Sequence, residues 1–238
     1  MNRRILTMFA SLSFALILGA VGMARAHAQA PKAAYPSMAP FDQYLMADRD
    51  AEIALARSAA PDAISGDAKI LVLGRHVYET AVEGKNGFVC VVERAWMSPS
   101  DAPEFWNPKI RGPICFNPPA ARSVLPATFK RTEMVLAGRT RTEIIEGNKA
   151  AFDKGQLPAL EPGAMSYMMS KEAYLTDNDD HNIAHLMFYA PPLEGKAWGA
   201  DLPKSPVMLI PQFKGAQPVD VFVVPIGRWS DGSTAPVM

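Results

Sequence analysis

The spacing of apolar and polar positions divides the chain into segments of different period. The first is apolar throughout: a run from Ile5 to Met23 follows Arg3 and Arg4 and leads into Ala26-His27-Ala28. A basic start, an apolar middle and small residues at the end read as an export signal, with cleavage placed after Ala28. The run is also long enough to span a bilayer, so an uncleaved anchor is the competing reading. Residues 29–40 carry Pro31, Pro36 and Pro40 without periodicity and read as a flexible linker into a single domain over 41–238.

From Asp42 to Ala60 the Ala- and Leu-rich composition favours one helix, with Asp42 as its N-cap and Leu45, Ile53 and Ala56 on a shared face. The period then drops to two in KILVL, HVYETAV and FVCVVER, three strands in succession. Asn86-Gly87 marks a hairpin between the second and third. In the third, Cys90 and Val92 point one way and Val89, Val91 and Glu93 the other, so both faces are largely apolar and the strand should be central and covered twice. Glu79 and Glu93, on adjacent arms of that hairpin, read as surface charges.

Seven prolines between Met97 and Pro126 argue against long regular structure, yet Phe105, Trp106, Ile110, Ile114 and Phe116 are too apolar for a free linker. An ordered loop packed over the sheet is expected. A helix pair follows, over about 127–137 and then from a capping box, Thr140 to Glu143, with Gly138 and Gly155 as stops. AMSYMMS, NIAHLMFYA, PVMLI and VDVFVVPI are strands. The total is an α+β fold: a mostly antiparallel sheet of six or seven strands with three helices packed on one side.

Composition changes this picture in two places. The first 28 residues hold three arginines and no acids, so their removal takes Lys+Arg from 24 to 21 against 24 Asp+Glu, a net charge of about −3. With no basic cluster, nucleic acid is not expected as a partner. No later segment is long and apolar enough for a membrane, so a soluble periplasmic or secreted protein is expected. Export also makes the cysteine count informative: Cys90 and Cys115, with no other thiol to compete, should form one disulfide.

The sequence signatures GxSxG, HExxH, GxxxxGK[ST], SxxK, CxxC and GxGxxG are all missing. After cleavage three histidines remain, His76, His181 and His185, the last two beside the acidic run Asp177-Asn178-Asp179-Asp180. Imidazole and carboxylate suit a zinc-like ion that activates water, which makes these three the candidate ligands of a divalent metal, with Asp180 or Glu79 beside them. The competing reading leaves His76 at a strand entrance, His181 solvated in a turn and His185 in the sheet with a backbone partner. A calcium loop at Asp177, Asp179 and Asp180 fails on position: His181 and Asn182 stand where Asp or Asn and then Gly are wanted. Met165, Met168 and Met169 suggest copper, but adjacent strand positions face opposite ways, and core filling explains them better.

Trp96, Trp106, Trp198 and Trp229 all fall in or beside loops. Phe105 and Trp106 with Arg111, and separately Trp198, are the candidate ligand surface. The segments VLGRHVYETAVEGKNGFVCVVERAW, FWNPKIRGPICFNPPAARS and GAMSYMMSK resemble a group of exported bacterial proteins with no assigned activity. That resemblance covers most of the chain after the signal. It implies a bacterial envelope location and carries over no catalytic residue, cofactor or substrate. The expectation is therefore a non-catalytic protein that binds a small molecule or an envelope protein through its Pro- and Trp-rich loops, with a metal-assisted hydrolase as the alternative.

Overall fold

The computed structural model describes residues 35–177, 182–210 and 217–236. Eight strands among them form one sheet: β1 (Lys69–Leu73), β2 (Tyr78–Val82), β3 (Val89–Glu93), β4 (Gly112–Phe116), β5 (Met165–Met168), β6 (His185–Ala190), β7 (Met208–Ile210) and β8 (Asp220–Pro225). Their order is β2-β1-β3-β4-β5-β6-β8-β7, and every neighbouring pair is antiparallel except β1 with β3. The helices are α1 (Arg49–Arg57), the single-turn α2 (Asp62–Ser65), α3 (Pro118–Ser123), α4 (Leu125–Leu136) and α5 (Arg141–Asp153). The class is α+β as expected, with more strands and helices than the sequence indicated.

The helices cover both faces, not one. On one side Leu55 and Ala56 of α1 pack with Ile70, Cys90, Val92 and Cys115. On the other, Ala120, Leu125, Val135 and Ile144 from α3, α4 and α5 pack with Val91, Ile114 and Phe116. Residues 90, 91 and 92 thus alternate between two cores, which is why β3 reads as apolar on both faces. The far end of the first side is closed by Ala200 and Phe222, with the exposed Trp198 stacked on Phe222 at 4.4 Å.

The hairpin expected at Asn86-Gly87 does not form. β2 pairs with β1, and β3 crosses to the other edge of β1 to run parallel to it. Gly84 makes the crossing: a Cβ there would sit 2.2 Å from the Lys69 backbone nitrogen. Asn86 fixes the exit, its amide donating to the Ile64 carbonyl at 2.7 Å while its oxygen accepts from the Phe88 N–H at 3.0 Å. An Asn-Gly pair specifies a tight turn locally; which strand the chain meets afterwards is decided by packing.

The long first helix is also broken. Phe41–Tyr44 is a 3-10 turn, Leu45 is extended, and α1 starts at Arg49 with Asp48, not Asp42, accepting from the Asp50 and Ala51 N–H groups. Tyr44 is fully buried; its hydroxyl donates to the Trp106 carbonyl at 2.8 Å and its carbonyl accepts from Arg94 Nε at 2.7 Å. Those contacts override helix propensity. Asp42 instead pairs with Arg75 at 2.7 Å. Of the linker expected over 29–40, the described part lies against the body: Tyr35 donates to Asp177 at 2.5 Å and Met38 and Ala39 pack on the core.

The proline-rich stretch conceals a buried strand. β4 lies near the middle of the sheet with every residue buried, Pro113 included. Proline is tolerated there because β5 runs opposite only Cys115 and Phe116, so no ladder partner waits for the missing N–H. Pro118-Pro119 opens α3 behind Asn117, whose side chain accepts from the Ala120 N–H. Cys90 and Cys115 lie directly opposite across β3 and β4 and are joined as expected. A link over 25 residues contributes roughly 3–4 kcal/mol in the chain-entropy account. The α4–α5 pair, the Thr140–Glu143 capping box and the left-handed Gly138 and Gly155 also stand where the sequence puts them.

Arg94 and Glu52 form an ion pair at 2.8 Å with both side chains shielded from solvent. Removing one partner leaves the other charged and buried, which costs about 3–5 kcal/mol. Glu52→Ala is expected to lower the urea unfolding free energy by that amount, whereas Glu79→Ala, which loses an exposed contact to Arg49, should change it by under about 1 kcal/mol.

Candidate functional site

Inward-facing residues of the sheet and the start of α4 enclose a cavity of about 280 Å³. Its floor comes from the row Ile114, Met168 and His185 on β4, β5 and β6, with Met187 and Val223 beyond. Val124, Ala127 and Thr128 form the opposite wall. Most of this lining is apolar. The polar exceptions include Glu93, Thr128, His185 and Tyr189.

Glu93 ends β3 and stands opposite Gly112, which contributes no side chain. A Cβ at 112 would lie 3.3 Å from Leu175 Cδ2, 3.5 Å from Met168 Cε and 3.8 Å from Glu93 Cβ, so these side chains pack closely over the glycine. Thr128 Oγ1 donates to Glu93 Oε1 at 3.0 Å. Burial raises the Glu93 carboxyl from its ordinary 4.5 to about 7, against the smaller opposing effects of the Thr128 hydrogen bond and the Arg131 charge.

His185 is buried on β6, and its Nδ1 lies 2.8 Å from the Ile183 carbonyl, which can only accept, so Nδ1 carries the proton. Burial lowers its pKa below the usual histidine range, with the carbonyl acting the other way. The imidazole is therefore neutral. Tyr189 shares a hydrogen bond of 2.8 Å with Ser166, and burial pushes its hydroxyl far above the usual range.

The histidines expected to share a metal are not brought together. His76 is exposed in the β1–β2 turn, at one edge of the sheet, and β6 lies five strand spacings away, roughly 24 Å. One ion cannot bridge that distance. His181, with Asp179 and Asp180, lies outside the described residues. Among the described residues no group of three or more His, Cys, Asp or Glu side chains could hold a metal ion. Asp177 is a structural clamp: it accepts from Tyr35 and Tyr174 at 2.5 Å each and from Asn107 and Lys109 at 3.3 Å each. Those donors, the two tyrosines foremost, hold its carboxyl well below the usual carboxylate range.

Nor do the aromatic candidates form one surface. Phe105 and Trp106 are buried, edge to face at 4.8 Å, and the guanidinium over Phe105 is that of Arg141. Arg111 donates to the Pro108 and Ile110 carbonyls at 2.8 Å and at longer range to Gln43 and Leu45. Trp198 lies over Phe222 of β8 on the face away from the cavity. Glu93, read from the sequence as a surface charge, is the residue the structure brings forward. The signal was present: a carboxylate in register with Val89 and Val91 on a strand covered twice cannot face open water.

The chain matches no protein-family model, no curated protein and no solved structure. Among the described residues no helix is long and apolar enough to cross a membrane.

Because the folded carboxyl holds its proton more tightly than the unfolded one, the contribution of Glu93 to stability is complete below pH 4.5 and is lost as pH rises through about 7. His185 works oppositely, losing stability as pH falls through the usual histidine range, so the two are separated by comparing variants. From pH 5 to pH 8 the wild type should lose on the order of 2–3 kcal/mol relative to Glu93→Gln, measured by urea unfolding at each pH.

Proposed function

We propose that the protein binds a small, largely apolar molecule in the cavity between the sheet and α4, and that it does so outside the cytoplasm after export. The cavity itself carries the first part. A well-formed apolar hollow with a few convergent polar groups is the usual form of a small-ligand site, and this one, at about 280 Å³, lies just under the usual range of about 300–1,000 Å³. A carboxylate held in such a place is destabilising to the fold, and ligand binding supplies a reason for its presence.

The disulfide between Cys90 and Cys115 supports residence in an oxidising compartment. Arg3, Arg4, the apolar run and Ala26-His27-Ala28 supply the route. Together they favour a cleaved, periplasmic or secreted protein.

Two experiments test the two parts. The full chain expressed in a bacterium with a periplasm should be recovered from that compartment beginning at Gln29, with both cysteines resistant to alkylation. An intact N-terminus in the membrane fraction would overturn the export reading. The neutral dye N-phenyl-1-naphthylamine should brighten on binding with micromolar affinity. Met168→Trp, which places a large ring on the cavity floor, should weaken dye binding at least about tenfold while leaving the folded circular dichroism spectrum intact. Equal binding by wild type and variant would place the dye elsewhere.

A further inference from the structure

The cavity is lopsided in its chemistry. Glu93 brings a carboxylate with about four lone-pair sites, of which the Thr128 hydroxyl meets one. His185 is neutral with its Nδ1 proton directed to the Ile183 carbonyl, which leaves Nε2 as an acceptor. Tyr189 is already paired with Ser166. What these groups have left for a ligand is mostly acceptor, and the strongest acceptor is anionic; Arg94, a cation on the same wall, already donates to Tyr44, Val92 and Glu52. Glu93 lines the cavity, and the nearby wall is Ile114, Met168 and Leu175.

We propose, resting on the cavity reading above, that the ligand is an amphiphilic amine whose ammonium group donates to the Glu93 carboxylate while its hydrocarbon body lies on Ile114, Met168 and Met187. Charge complementarity carries the choice. A ligand carboxylate or phosphate would meet Glu93 with like charge. An alcohol would satisfy one lone pair and leave the charge uncompensated. An ammonium supplies donors and charge together, and such charge-assisted hydrogen bonds are about twice as strong as neutral ones.

The groups that face Glu93 agree with this. From α4 come Thr128 and the Arg131 guanidinium, which donates to the Trp96 carbonyl and is not part of the cavity wall. From β6 and β2 come Tyr189 and Tyr78, whose hydroxyls burial keeps neutral. Desolvation of the carboxylate outweighs the attraction of Arg131, so a ligand cation in the cavity finds an anion that is still under-compensated.

The test is calorimetric titration of the exported full chain at pH 8 with hexylamine, 1-hexanol and hexanoate, on wild type and Glu93→Gln. Hexylamine should bind the wild type at least about tenfold more tightly than hexanol, and Glu93→Gln should erase that preference while still binding hexanol. If the variant does not fold, the same ratio on wild type at pH 5.5, where Glu93 is protonated, should fall towards unity. Hexanol equal to hexylamine in the wild type, hexanoate preferred, or a preference that survives Glu93→Gln overturns the amine and leaves the cavity reading standing. No binding by any of the three or by the dye overturns both.

Discussion

Arg94 is the residue on which the two faces of the sheet depend together. Its guanidinium reaches Glu52 on α1, the Tyr44 carbonyl in the first turn and the Val92 carbonyl on β3. Glu52 in turn accepts from the Leu73 N–H on β1 at 3.1 Å. One buried ion pair thus ties the helix on one face to the strand pair β1–β3 and to the segment that covers the other. β1 and β3 share only a short register, Lys69 with Val89 and Ile70 with Cys90, before they part. Tyr78 from β2 and Arg94 then meet the Val92 carbonyl that the ladder no longer pairs. A buried charge pair is a weak contribution to net stability but a strong constraint on geometry, because every displaced arrangement leaves a charge without a partner.

With that constraint in place, the neighbouring Glu93 lies at the other extreme. Residues 93 and 94 both line the cavity, yet Arg94 donates to Tyr44, Val92 and Glu52 whereas Glu93 has the Thr128 hydroxyl beside it. The contrast follows from strand geometry. Alternation sends Glu93 to the face with Val91, beneath Thr128 of α4, while the chain leaves the strand at 94 for the 3-10 turn Ala95–Met97. A desolvated carboxylate beside apolar side chains lowers stability at neutral pH, the kind of local conflict that marks functional positions.

Two clamps hold the loop that covers this face. The disulfide secures β4 to β3 at its far end, and Asp177 gathers Tyr35, Tyr174, Asn107 and Lys109 at its near end. Between them Phe105, Trp106 and Ile110 are core residues. The prolines of this stretch restrict the unfolded chain, so less entropy is lost when the loop is ordered.

Much of the fold was legible in residue order because it rests on local rules. Strand alternation located all eight strands except β4, the capping box and two glycines bounded α5, and an exported chain with two cysteines implied their pairing. What failed were statements about which distant segment a local element would meet. KILVL and FVCVVER are strands from their own pattern, but their parallel pairing depends on Gly84 fitting against Lys69. Pro113 argues against a strand until β5 is seen to end short of it. The candidate site divides in the same way: alternation sets Glu93 on the covered face of Val91, although the residue itself read as a surface charge, while its Thr128 partner and its raised pKa depend on α4. By itself the sequence determined most of the elements, the covalent link and the faces of the strands it located, since these follow from periodicity and chemistry within a few residues. Tertiary structure alone decided that His76 and His185 are far apart and that a carboxylate lines a cavity, because distance and desolvation are properties of what packs against a residue and not of its neighbours in the chain.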